Sequence, residues 1–192
     1  MTTSGRIEVL RASERPASAW LNGGGVTREV AGFPAGAGLD AFDWRVSLAD
    51  VASAGPFSVF PGIDRVITLV EGAGMVLTVG GAEQRVDAPY RPFAFPGDAS
   101  TDCRLLGGPV VDFNVMTRRG RVEASVDIAT APADVQVPTD GSALLVCLAG
   151  TARLGEVELA RYDAALLTAP GPYALDLRPD GTVAVVTFRP SR

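Results

Sequence analysis

Apolar residues recur along the chain in short runs rich in Val, Leu, Ile and Phe, separated by Gly, Pro or Asp every 8 to 15 residues. Runs of that length between turn formers read as β-strands. They predict strands at Ile7 to Leu10, Val26 to Ala31, Asp43 to Leu48, Gly55 to Val59, Asp64 to Glu71, Gly74 to Val79, Phe93 to Phe95, Thr101 to Leu106 and Val110 to Thr117. A second series follows at Arg121 to Ile128, Ala143 to Ala149, Thr151 to Leu154, Val157 to Leu159, Ala164 to Thr168, Tyr173 to Arg178 and Val183 to Arg189. Only Leu48 to Ala54 carries a weak helical pattern. Gly80-Gly81 stands where a two-residue hairpin turn would join Met75–Val79 to the polar Glu83–Val86, and Asp180-Gly181 marks a later turn.

The two series echo each other. Glu71-Gly72 corresponds to Ala149-Gly150, offset by 78 residues, and Pro96-Gly97 to Pro170-Gly171, offset by 74. Unequal offsets describe a shared architecture with insertions rather than a strict repeat. The expected fold is therefore all-β, two antiparallel barrels in tandem. The N-terminal half is expected over 1–128 and the C-terminal half over 129–192, joined within the Pro-, Ala- and Asp-containing stretch Ala129 to Ser142.

Composition narrows the chemistry. A net charge of −5, with no basic cluster beyond Arg118, Arg119 and Arg121, argues against binding a phosphate backbone. No apolar stretch is long enough to span a bilayer, and Met1 to Arg6 begins no signal-peptide pattern, so a cytoplasmic protein with no membrane partner is expected. Cys103 and Cys147 lack C-x-x-C spacing, and Cys147 sits in an apolar run, which reads as two free thiols. The 17 basic residues are all arginine and histidine is absent. Histidine-based triads, histidine metal sites, Schiff-base lysines and the P-loop lysine are all excluded. Acid–base work would fall to a carboxylate, a tyrosine or a cysteine.

Trp20-Leu21-Asn22-Gly23-Gly24-Gly25-Val26-Thr27 is the most unusual string. Consecutive glycines can aim backbone N–H groups of Gly24 and Gly25 at an anion, with Asn22 and Thr27 adding side-chain groups; the plainer reading is a tight turn entering a strand. Strand alternation puts Arg45 and Ser47 on the face opposite Trp44, Val46 and Leu48, and Asp112 and Asn114 opposite Val111, Phe113 and Val115. The Gly55–Arg65 segment contributes Ser58 and ends in Asp64-Arg65. Each polar face could simply meet water. If the faces converge in a barrel mouth, Arg45 and Arg65 would hold a carboxylate while Ser47, Asn114 and Asn22 hydrogen-bond the rest of the ligand. Carboxylates available as acid or base are Glu29, Asp64, Glu71 and Asp112, of which Glu29 and Asp112 are the candidates in an enzymatic reading. No metal loop and no cofactor motif accompanies them, and the chain beyond Arg121 reads as scaffold.

Trp20-x-Asn22-Gly23-Gly24-Gly25-x-Thr27-x-Glu29, Trp44-Arg45-x-Ser47, Gly55-Pro56-Phe57-Ser58-x-Phe60-Pro61-Gly62-x-Asp64-Arg65 and Asp112-Phe113-Asn114-x-Met116 resemble the HutD/Ves proteins. The resemblance implies a jelly-roll-like bicupin fold without the usual cupin metal histidines. It also implies Trp20 and Ser58 as further pocket residues, a link in some bacteria to histidine utilisation, and N-formylglutamate as a ligand. Ves relatives point instead to stress or cold response. The function expected is a non-catalytic binding or regulatory protein for a small carboxylate or acylated amino acid. A metal-independent isomerase, epimerase or lyase, and a protein-binding stress module, are the alternatives; a homodimer is compatible with either.

Overall fold

The computed structural model describes residues 7–192. The chain forms β1 (Ile7–Leu10), a 3₁₀ turn (Ala12–Glu14), β2 (Ser18–Ala19), β3 (Gly25–Phe33), β4 (Trp44–Val51), β5 (Gly55–Phe57), β6 (Ile63–Glu71), β7 (Met75–Val79), β8 (Ala82–Val86), β9 (Pro92–Pro96), β10 (Thr101–Leu105) and β11 (Val110–Arg118). It continues through β12 (Val122–Ala129), β13 (Ala133–Val137), β14 (Ser142–Ala149), β15 (Ala152–Leu154), β16 (Val157–Leu159), β17 (Ala164–Leu167), β18 (Gly171–Leu177) and β19 (Thr182–Pro190). No helix among the described residues is long and apolar enough to cross a membrane. In the segment read as weakly helical, Leu48 to Ala54, the first four residues instead complete β4, where Leu48, Ala49 and Val51 are buried against neighbouring strands, and the last three lie in the loop that follows. Tertiary packing overrides a weak local preference there.

Two compact units divide the chain. Residues 15–121 form one; residues 7–14 and 122–192 form the other. The expected boundary at 128/129 is thus displaced to 121/122, and the N-terminal strand joins the later unit. Ala129 to Ser142, expected as the join, contains β13, which pairs with β18 at the edge of a sheet. Its flanking Pro132 and Pro138 suit an edge, where a missing N–H costs no ladder bond.

The 15–121 unit is a six-stranded antiparallel sheet, β2-β3-β4-β11-β6-β9, facing a four-stranded one, β5-β10-β7-β8. Inward residues of both share one core, including Val51, Phe57, Ile67, Leu69, Met75, Leu77, Phe95 and Cys103. Each such aliphatic or aromatic side chain contributes roughly 1.5–3 kcal/mol on burial. The other unit repeats the order, β1-β17-β14-β19-β12 facing β13-β18-β15-β16, over a core that includes Leu145, Leu154, Leu159, Leu167, Leu175 and Val183. The sheets are open rather than closed on themselves, which corrects the expectation of closed barrels to two sandwich-like pairs. Gly80 and Gly81 form the expected two-residue β7–β8 turn, both with positive φ, 54° and 89°.

Candidate functional site

Period-two alternation in β4, β6 and β11 builds the site. Asn114 pairs with Ser47 on one side and Ile67 on the other, and Met116 pairs with Arg45 and Arg65, so these side chains share the inner face. Towards one end of this face the core residues give way to Arg45, Ser47, Arg65, Asp112 and Asn114, and a cavity of about 480 Å³ opens there. The loop before β3 supplies Trp20, Leu21 and Asn22, and the β5–β6 connection supplies Ser58 and Phe60. The volume lies in the range of small-molecule clefts.

Arg65 dominates the electrostatics. It is 6% exposed, and its guanidinium carbon lies 5.5, 5.6 and 5.0 Å from the ring centres of Phe57, Phe60 and Phe95. Three aromatic faces offset part of the desolvation cost of the cation. Burial lowers its pKa to about 10, opposed by the nearby Asp112 and assisted by Arg45, which leaves it charged at neutral pH. Its Nε has no hydrogen-bond partner among the described residues, and neither do Asp112 Oδ1 and Asn114 Oδ1. Asp112 is 2% exposed; burial pushes its carboxyl up to about 7, against the pull of Arg65 and with help from Asp50. Buried polar atoms are nearly always paired, so three orphans around one cavity mark a place for a ligand or ordered water.

The other expected residues separate by role. Trp20 forms a wall, edge-on to Phe57 with ring centres 5.9 Å apart, and its Nε1–H donates to Thr27 Oγ1 at 2.7 Å, so Thr27 orients Trp20. Asn22 lines the mouth while its Oδ1 accepts the Gly24 N–H at 3.0 Å. Gly24 and Gly25 do not line the cavity, and the glycine nest is not open: the Gly23 N–H donates to the Trp20 carbonyl and the Gly24 N–H to Asn22. Gly25 serves close packing, since a Cβ there would lie 2.6 Å from the Asp50 carbonyl oxygen. Glu29 lies outside the lining, its Oε2 accepting a 2.6 Å hydrogen bond from Arg45 Nε. Asp64 points to the opposite face from Arg65 and pairs with Arg119 at 2.6 Å.

Sequence reasoning missed the Phe57–Phe60–Phe95 enclosure. Phe57 and Phe60 stand near Arg65 in sequence, but Phe95 reaches it only through the β6–β9 register, Arg65 opposite Phe95. The apolar wall residues Leu21, Leu39, Pro56 and Met116 were also unassigned.

Comparison with known proteins places the chain in a family. The HutD family profile matches residues 12–185. An uncharacterised 21.2 kDa protein from the region 3′ of hutC in Pseudomonas putida is 43% identical over 119 residues, 62% of this chain and 62% of its own length. Protein Ves of Citrobacter koseri is 35% identical over 179 residues, 91% of this chain and 90% of that protein. The solved structure of HutD from Pseudomonas fluorescens SBW25, recorded for a formate condition, superposes with a TM-score of 0.87 at 32% identity, covering 97% of this chain and all of the other. With its profile spanning nearly the whole chain and its fold shared at this identity, the protein belongs to the HutD family.

Proposed function

We propose that the protein is a non-catalytic, cytoplasmic carboxylate-binding protein whose ligand is a small organic acid or N-acylated amino acid. The observation that carries this is Arg65, a buried guanidinium facing the cavity with its Nε unpaired, beside the unpaired Asn114 and Asp112 oxygens. A guanidinium presents a planar fork that matches a carboxylate, and the nearby amide and Ser47 hydroxyl suit the ligand's remaining polar atoms. Each sheet pair is read as a cupin-type jelly roll, which makes the molecule a bicupin. The P. putida relative near hutC supports a link to histidine utilisation, with N-formylglutamate as a test ligand. The two buried free thiols suit a reducing compartment.

Calorimetric titration with formate, N-formylglutamate, glutamate and urocanate tests the reading. At least one acid binds, and Arg65→Met weakens it by about ten- to a hundredfold, the scale of a lost charge-assisted hydrogen bond. Unchanged binding in Arg65→Met, or no binding by any acid, overturns the assignment.

A second reading is favoured by one observation, the Asp112 carboxyl held near 7, where a general acid or base works best. A metal-independent isomerase or lyase would then lose turnover in Asp112→Asn with its fold intact. Asp112 is favoured over Glu29 as the base of that reading, because Glu29 is engaged by Arg45 and Asp112 Oδ1 is unpaired in the cavity.

A further inference from the structure

Arg45 and Arg65 both line the cavity, yet only one presents an unengaged cation. Arg45 Nε is held at 2.6 Å by Glu29, whereas Arg65 makes no ion pair among the described residues. The local backbone is arranged for that pairing. A register shift between Glu29 and Ala31 in β3 sets Gly32, not a larger residue, opposite Arg45. A Cβ on Gly32 would stand 3.4 Å from Glu29 Oε1, an ordinary contact distance, so the carboxylate lies directly against this position. Two free guanidiniums side by side would repel, as the effect of Arg45 on Arg65 already indicates; Glu29 neutralises one of them.

Much of the remaining wall is apolar. Pro56, Phe57, Phe60 and Met116 flank Arg65, and Leu21 and Leu39, 110% and 53% exposed, stand among the lining residues. A second carboxylate on the ligand would meet these surfaces, the neutral Asn22, Ser47 and Ser58, or an arginine whose charge Glu29 already offsets at its Nε. It gains less there than the first carboxylate gains at Arg65, and any part of it against the apolar wall is desolvated without a partner.

We propose that Glu29 is the specificity residue of the pocket: by engaging Arg45 it leaves Arg65 as the lining arginine without an ion pair among the described residues, so the preferred ligand is a monocarboxylate with an uncharged, partly apolar body. This rests on the carboxylate-binding reading above and narrows its ligand class. It also changes the assignment of Arg45, from direct ligand contact to half of a neutralised pair.

The test compares matched acids differing by one charge, hexanoate against adipate and N-formylglutamine against N-formylglutamate, titrated calorimetrically at pH 6.0, where Asp112 beside Arg65 is protonated and both carboxylates of the diacids are largely ionised. In the wild-type protein the monocarboxylate of at least one pair binds tenfold or more tighter than its partner, a difference of about 1.4 kcal/mol. Glu29→Gln releases Arg45; the dicarboxylate then gains at least tenfold while the monocarboxylate changes less than threefold. Arg45→Gln added to Glu29→Gln removes the gain. The Glu29 side chain is 43% exposed, so the substitution is tolerated by the fold, and Arg45→Gln alone provides a second route, since it preserves or sharpens the monocarboxylate preference. Equal or tighter wild-type binding of both dicarboxylates, or an unchanged ratio in Glu29→Gln, overturns the role of Glu29 while leaving carboxylate binding intact. Failure of all four acids to bind overturns this inference, and if formate, glutamate and urocanate also fail the carboxylate reading falls with it.

Discussion

At the scale of single residues, Asp112 joins the site to pH. In the unfolded chain an aspartate ionises near roughly 3.9, whereas burial holds the folded carboxyl protonated up to about 7. The folded state therefore binds the extra proton between these values, and this group's contribution to stability falls as pH rises through that window, by at most about 4 kcal/mol. The charged and titratable groups that interact with Asp112 are Arg65 on β6, Asp50 on β4 and Cys103 on β10, whose own thiol is pushed up to about 11 by burial and by Asp112, while Arg45 on β4 acts on Arg65. Asp112→Asn keeps the shape and deletes the titration. Thermal unfolding from pH 4 to 8 should show the wild type losing ground to the variant as pH rises, and acid binding to the wild type should weaken above pH 7 while the variant's stays flat. Parallel profiles would show that Asp112 is already ionised or already paired. The residues of this site were partly legible because alternation in a strand is a property of the chain itself: Arg45 with Ser47, and Asp112 with Asn114, share a face by counting alone, while counting left open whether that face meets water or a cavity. Arg65 was legible as a polar end of a strand, but its aromatic enclosure depends on pairing across β6 and β9, which no local pattern contains.

At the scale of elements, turns that need glycine differ in what surrounds them. Gly80, at φ 54° in the β7–β8 hairpin, has open space where a Cβ would stand. Gly80→Ala therefore meets only backbone strain, roughly 1 kcal/mol. Gly74, at φ 99° before β7, would place a Cβ 2.6 Å from Asp87 Cα and 2.7 Å from the Val86 carbonyl oxygen, both backbone atoms with little freedom to move. Gly74→Ala is expected to cost about 2–4 kcal/mol, and so to lower Tm by several degrees more than Gly80→Ala in the same calorimetric scan. Equal shifts would mean that the β7–β8 edge yields easily. Both turns were visible as Gly-containing breaks between apolar runs. The strands less visible in the sequence were those without such contrast: β2 is two residues long, and β13 alternates Asp134 and Gln136 with Val135 and Val137 at a sheet edge, where polar residues and neighbouring prolines resemble a linker. The triple glycine erred in the other direction. Its composition allows an anion nest, but the N–H groups of Gly23 and Gly24 are satisfied within the loop itself.

At the scale of the whole molecule, the repeated strand order raises the question of how each unit protects its sheet edges. In the 15–121 unit the large sheet ends at β9, which begins and ends with proline, a poor template for a further strand. The corresponding strand in the later unit is β17, Ala164-Ala165-Leu166-Leu167, short, uncharged and without proline. That apolar edge is covered by β1, with Ile7 opposite Leu167 and Leu10 opposite Ala164, which is why the N-terminal strand joins the later unit rather than its sequence neighbours. No residue pattern near Ile7 announces a partner so distant in sequence, so this part of the organisation was illegible. Asp163 fastens the arrangement: its Oδ2 accepts from Arg11 Nη1 at 2.7 Å and its Oδ1 from the Ala12 N–H at 2.8 Å. Burial alone would raise this carboxyl, but those hydrogen bonds and one from the Ala160 N–H hold it below the usual aspartate value. Its contribution to stability is therefore complete above the unfolded value and is lost as pH falls through the folded one. Asp163→Ala should loosen β1 first, at about 2–3 kcal/mol, the scale of buried charge-assisted hydrogen bonds. Hydrogen exchange read by mass spectrometry should show Ile7–Leu10 and Ala164–Leu167 losing protection together, with acid producing the same change in the wild type. Continued protection of those two strands in Asp163→Ala would mean that the β1–β17 ladder and its packing on Val9 and Ala165 hold the edge without the carboxylate.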